Sequence, residues 1–282
     1  MSNARKKQEQ LTVACSDRDA EEILAEAIDR VPGFQVPADI PAADRRLPVG
    51  LASLAIGDRD FSLALIARLT NEDYLLLGAR YFLWSGAAGA LRAELPRIDE
   101  TLAQCEPFAE LHELAIALES IGATAEAAAV RVRAADAKRR ILPDWEAEDC
   151  NVLPAGNPAD TVNIFMHTML GAAPDAARGR PRLRPCWPDW LEWITVQNIR
   201  LGDALITLEY QRNHSAAQYK IEQVAGAMPV RLIFEPAFAH QIAGVQVDDV
   251  PADLNLQISA ARVIAPVQLM LDHERVLRFQ RP

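Results

Sequence analysis

Before about residue 178 the apolar residues fall at helical spacing; after it they alternate with polar ones. Asp17 to Val31 reads as a charged amphipathic helix stopped by Pro32-Gly33. Pro37, Pro41 and Pro48 then exclude a continuous helix over residues 34 to 50. Asn71 opens the next helix, with Glu72 and Asp73 in its first turn, where the helix dipole favours acid. Its body, Tyr74 to Trp84, is apolar on nearly every side, which predicts a helix covered over most of its surface. Leu91, Leu95, Ile98 and Leu102 form a one-sided stripe, in which Pro96 marks a break or a fresh helix start. Leu111, Leu114, Ala115, Leu118 and Ile121 repeat the helical spacing up to Gly122. Thr124 is the expected cap of an Ala-rich helix running to Lys138-Arg139-Arg140, and Thr161 to Leu170 is a last helical stretch. Buried and one-sided helices thus alternate. Inner and outer helix layers of a toroid or solenoid produce this pattern, and so does an ordinary bundle.

From about Arg180 the period is two. Gly202-Asp203 is a hairpin signal between Ile199-Arg200-Leu201 and Ala204 to Tyr210. Asn213-His214-Ser215 and Ala225-Gly226 are the next turns, with Gln218 to Val224 between them. Short strands fit Val230 to Phe234, Gln241 to Val247, Leu254 to Ile258, Val267 to Leu271 and Val276 to Phe279. The expected fold class is therefore α+β with two domains: α/α-hairpins over residues 1–178, then an antiparallel β-sandwich over residues 179–282.

Composition narrows the partners. The 282 residues are 50% hydrophobic and 24% charged, enough to bury real cores. The net charge is −10, which argues against nucleic acid or an anionic membrane surface as a partner. Residues 179–282 hold 11 acids and 11 bases, so the helical part carries the whole excess. No apolar run has membrane-spanning length, and Met1 to Gln10 has no secretory character. With Cys15, Cys105, Cys150 and Cys186 widely scattered, a cytoplasmic protein with reduced thiols is expected.

Nucleotide-binding, P-loop, nucleophile-elbow and zinc-protease motifs are all missing, and no cofactor or metal is expected. The histidines (His112, His167, His214, His240 and His273) are isolated, and His167, in an apolar stretch, reads as a satisfied core residue. Carboxylates and aromatic rings remain, and these are the groups that bind sugars. One grouping is Glu72, Asp73 and Tyr74, followed on the same helix by Tyr81 and Trp84. Another is the loop holding Trp145, Glu146, Glu148 and Asp149. Dipole compensation with a core helix explains the first equally well, and a solvated acidic loop explains the second. Trp187, Trp190 and Trp193 form a third grouping, either a sugar platform or packing at the domain junction.

Asn71-Glu72-Asp73-Tyr74 running to Tyr81-Phe82-Leu83-Trp84-Ser85-Gly86, followed by Leu95-Pro96-Arg97-Ile98, resembles a hairpin of the six-hairpin glycosidases. These are (α/α)6-toroid enzymes of the glucoamylase and bacterial glycogen-debranching type. Leu170-Gly171 to Pro174-Asp175, then Arg182-Leu183-Arg184-Pro185 and Arg200-Leu201-Gly202-Asp203, are similar to the last toroid helix and appended β-domain of that family. The resemblance implies hydrolysis of α-glucosidic bonds in a glucan or small glucoside by two carboxyl groups. Asp73 or Glu72 would be one, with Glu146 or Glu148 the other. Tyr74, Tyr81, Trp84, Trp145 and Asp149 would line the sugar site. Retention would need carboxyls about 5–5.5 Å apart and inversion roughly 6.5–9.5 Å. Only three or four of the six hairpins are present, so the toroid is partial unless a homo-oligomer completes it. A non-catalytic carbohydrate-binding protein or a protein-interaction scaffold is the alternative.

Overall fold

The computed structural model describes residues 10–31, 46–69, 71–138, 157–173, 175, 178–253, 255–259 and 262–282. It is an α+β structure in which helices precede most of the strands. The chain nevertheless begins in the sheet. β1 (Thr12–Cys15) pairs antiparallel with β4 (Trp193–Leu201), matching Thr12 to Gln197 and Cys15 to Ile194.

α1 (Arg18–Arg30) starts where the Asp17 carboxylate accepts a hydrogen bond from the Ala20 amide at 2.9 Å, and it buries Ala20, Leu24, Ala27 and Ile28. α2 (Arg46–Ala55) contains Pro48. A helix thus begins inside the stretch whose three prolines exclude one continuous helix over residues 34 to 50. Pro48 lies in the first turn, where its missing N–H has no helical acceptor anyway. α3 (Arg59–Ile66) is capped by Asp58, which accepts from the Phe61 amide at 3.2 Å. α4 (Asn71–Ser85) is followed by α5 (Gly89–Glu94) and α6 (Ile98–Gln104), separated at Pro96 by a 3-10 turn over Leu95–Arg97.

α7 (Leu111–Ser120) ends as its pattern predicts. Gly122 has φ +86°, and the amides of Gly122 and Ala123 return to the carbonyls of Glu119 and Leu118 at 3.1 and 3.0 Å. α8 (Thr124–Ala135) departs from expectation at both ends. Ala123 occupies the cap position, and the helix stops before Lys138, with Arg133 as the cation of its last turn. α9 (Pro158–Ile164) is capped by Asn157 and runs into a π turn over Phe165–Met169, closed by the Leu170 amide on the Phe165 carbonyl at 2.8 Å.

The strands form three sheets. The largest has the order β1-β4-β5-β6-β14-β9-β10 and is antiparallel throughout, with β5 (Ala204–Arg212), β6 (Ala216–Ala225), β9 (Gly244–Val247), β10 (Val250–Ala252) and β14 (Arg275–Gln280). A second has the order β13-β7-β3-β2, from β2 (Ala172–Ala173), β3 (Arg182–Leu183), β7 (Arg231–Phe234) and β13 (Val267–Met270). Here the all-antiparallel expectation fails at one place: β3 and β7 run parallel. The long stretch of chain between them permits this. A third sheet joins β8 (Ala237–Phe238), β11 (Gln257–Ser259) and β12 (Arg262–Ile264). Tyr219 of β6 meets Phe234 of β7 edge-on at 5.0 Å, so the first two sheets share aromatic packing.

α4 explains its own composition. Leu76, Leu77, Tyr81 and Trp84 face the principal core, which continues through α1, α2, α3 and α9 into the large sheet at Ile194, Leu208, Tyr219 and Phe279. Leu75, Ala79, Phe82 and Leu83 face a second core shared with Phe108, Leu114 and Leu118. Two cores, one on each side, require a helix that is apolar nearly all round. Gly50 of α2 lets α4 come close: a Cβ there would lie 2.5 Å from Leu77 Cδ2.

Helices and sheet are also joined by polar contacts. The Gly202 amide, at the tip of the β4–β5 hairpin, donates to the Trp84 carbonyl at 3.0 Å. The Arg59 guanidinium donates to the Gly202 carbonyl. Burial and the nearby Arg200 lower the Arg59 pKa.

Candidate functional site

Asp73 and Tyr74 are half-buried in the first turn of α4, with Tyr74 against both cores. Tyr81 and Trp84 are 8% and 3% exposed and belong to the principal core. The side chain of Glu72 and the residues Trp145, Glu146, Glu148 and Asp149 lie outside the described residues. Of the tryptophan tract, Trp187 is buried against Tyr210 with ring centres 5.9 Å apart, whereas Trp193 is 41% exposed. Trp187 belongs to the core that joins helices and sheet, and Trp84 meets the sheet through its carbonyl, which accepts from the Gly202 amide.

The polar residues that the helices do bring together are different ones. Arg80 is the single cation within the apolar body of α4, and it crosses to Glu113 of α7. Its Nε and Nη2 donate to Glu113 Oε2 and Oε1 at 2.7 and 2.9 Å, a bidentate fork with side chains only 12% and 20% exposed. Its Nη1 lies 3.3 Å from Nε2 of His167, in the π turn. Glu110, 5% exposed, is a second carboxylate near the guanidinium. A lone arginine in an apolar helix was the available sequence signal, because a buried cation needs a partner. The identity of that partner was not legible.

Electrostatics fixes the protonation of this cluster. Burial works to raise the Glu113 pKa, but the Arg80 charge and hydrogen bonds outweigh it, and the carboxyl is held below its ordinary value. Burial likewise works against the Arg80 charge, and Glu113 overcomes it, so Arg80 stays charged. At His167 burial, reinforced by the Arg80 charge, outweighs the Glu113 charge and a hydrogen bond to the Ala172 backbone, and pushes the pKa down to about 3. At neutral pH the imidazole is uncharged, and Nε2 accepts from Arg80. The cluster therefore ties α4, α7 and the π turn together, with Arg80 matched by Glu113 and His167 uncharged. Glu113, as a permanent carboxylate, is unsuited to donating a proton. The sequence reading of His167 as a satisfied core residue agrees with this placement.

In the strand region, Glu235 accepts from Arg184 at 3.0 Å and pairs with Arg182 at 3.4 Å. Cys15, Cys105 and Cys186 are buried thiols, and burial raises the Cys15 pKa. Among the described residues no cluster of three or more His, Cys, Asp or Glu could hold a metal ion. No described helix is long and apolar enough to cross a membrane.

No family model and no curated protein matches this chain. Its fold is similar to that of a solved α-L-rhamnosidase from Dictyoglumus thermophilum, with a TM-score of 0.60 at 8% sequence identity. The match covers 96% of this chain and 50% of the rhamnosidase, so the chain spans about half the length of that enzyme. A glycoside hydrolase-like fold follows from this likeness.

Proposed function

We propose that this chain is a carbohydrate-binding protein on a shortened six-hairpin toroid with an appended β-domain, the two meeting near residue 178. The observation that carries the proposal is the likeness to a glycosidase over 96% of the chain, through helices and strands alike. Binding without hydrolysis fits the helical part better than catalysis does. Hydrolysis needs a protonated carboxyl beside an ionised one. The displaced carboxyl gathered between the helices, Glu113, is shifted the wrong way for an acid. Tyr81 and Trp84 are committed to the core and have no ring face to offer a sugar.

The hydrolase reading rests on Asp73 or Glu72 with Glu146 or Glu148, and Tyr74, Trp145 and Asp149 around the sugar. It is favoured by the half-burial of Asp73 at a helix start, where a carboxyl is withdrawn from bulk water. Malto-oligosaccharides and nitrophenyl α-glucosides and α-L-rhamnosides separate the two readings. Oligosaccharide binding with no sugar released is expected. Release of sugar by the wild type that Asp73→Asn abolishes would establish the hydrolase instead.

A further inference from the structure

The outer face of the large sheet carries a shallow depression of about 270 Å³, just below the usual size of small-molecule sites. It is lined by Trp193 and Thr195 of β4, Glu209 and Gln211 of β5, and Gln218 and Lys220 of β6. The alternation of each strand puts these side chains opposite the core residues Ile194, Leu208 and Tyr219. Pairing then sets them in two rows across the strands. Trp193 stands beside Gln211, Gln211 beside Gln218, and Gln218 beside Arg278. In the adjacent row Thr195 stands beside Glu209, and Glu209 beside Lys220.

From these rows we infer that this face is a binding site for a neutral oligosaccharide laid across β4, β5 and β6. This rests on the carbohydrate reading above and places the sugar on the sheet. Three observations converge on a neutral polyhydroxyl ligand. The indole of Trp193 is exposed, and its backbone is held on the β1 side by the Ser16 amide, which donates to the Trp193 carbonyl at 3.0 Å. An exposed indole on a strand whose backbone is fixed can cover the apolar face of a sugar ring. Next to it, the side chains of Thr195 and Gln211 make no hydrogen bond among the described residues, and Gln218 uses its amide oxygen on Arg278. A hydroxyl and carboxamides donate and accept, as sugar hydroxyls require. Finally, the charges are already matched. Lys220 bridges Glu274 at 2.8 Å and Glu209 at 3.9 Å, and Arg278 pairs with Asp249 at 2.7 Å. No unmatched charge in these rows selects an anion or a cation. β1 covers the adjacent sheet edge, so an added strand would have to pair elsewhere.

The test is calorimetric titration of the full chain with maltohexaose, cellohexaose, xylohexaose and a rhamnose-containing oligosaccharide, each up to about 10 mM. Wild type, Trp193→Ala, Trp193→Phe, Gln211→Ala and Asp73→Asn are compared. At least one sugar should bind the wild type. Trp193→Ala should weaken it about tenfold or more, Gln211→Ala less, and Trp193→Phe should restore part of the loss. An unchanged thermal midpoint in Trp193→Ala excludes misfolding as the cause. Binding that survives Trp193→Ala but fails in Asp73→Asn overturns the sheet site and leaves the carbohydrate reading standing. No binding of any of the four sugars to the wild type overturns both. Self-association that Trp193→Ala abolishes, with sugar binding untouched, would make the face a protein contact and overturn the proposal.

Discussion

The helical and strand regions use charge in opposite places. Between α4, α7 and the π turn, Arg80, Glu113 and His167 are enclosed and consume one another's hydrogen-bonding capacity. On the large sheet, Lys220 pairs with Glu274 and Glu209 and Arg278 pairs with Asp249 at the surface, which leaves a tryptophan and amides open to a ligand. The same residue types make a clamp in one setting and a platform in the other. Exposure separates the two, because a water-filled surface lets an amide exchange partners and a buried fork does not.

The comparison breaks most visibly at the fork. Glu113→Ala leaves Arg80 enclosed without its counter-charge and should cost about 3–5 kcal/mol, read as a lowered urea midpoint. Arg80→Met with Glu113→Leu should lose much less, because both charges leave together. If the double variant is as unstable as the single one, the fork is not a matched pair.

Next in size is the pH response. Glu113 titrates below its ordinary value and His167 near 3, so the unfolded chain takes up protons first as the solution is acidified. Stability should be full above the imidazole's ordinary pKa of about 6.5 and fall towards pH 3 by about 1.4 kcal/mol per unit for His167 alone. Chemical denaturation at stepped pH measures this. His167→Gln should flatten the slope between pH 6 and 4, while Glu113 keeps its own loss at lower pH.

Gly171 sharpens the comparison where the helices hand over to the strands. Its φ is +59°, and a Cβ there would lie 2.2 Å from the Arg184 carbonyl oxygen. Gly171→Ala should therefore cost about 2–3 kcal/mol by thermal melting. The smallest effect belongs to the sheet face: Trp193→Ala should change stability by no more than about 0.5 kcal/mol. A larger loss would mean that the indole supports the fold and is not held for a ligand.

Much of the fold was legible along the chain. The all-round apolarity of Tyr74 to Trp84 announced a helix covered on most sides, and the structure sets it between two cores. Pro96 marked the interruption, Gly122 a helix end, and Gly202-Asp203 and Asn213 the hairpins. The β9–β10 turn was not legible. Asp248 and Asp249 both take positive φ, 52° and 64°, in a position where glycine or asparagine is the usual signal. Of the expected site, Tyr81 and Trp84 are core residues, and the cluster that formed instead involves Arg80 and Glu113, 33 positions apart.

Periodicity, prolines and turn residues decided by themselves that this chain is helical first and mostly stranded afterwards, because those signals act through a residue's own backbone and its neighbours within a few positions. Only the tertiary structure decided that β1 joins β4 across the whole helical part, that β3 lies parallel to β7, and that Arg80 finds Glu113 and His167. Those pairings are chosen by the burial of shared apolar surface and by the cost of leaving a charge or a strand edge unmatched, and neither is a property of a local segment.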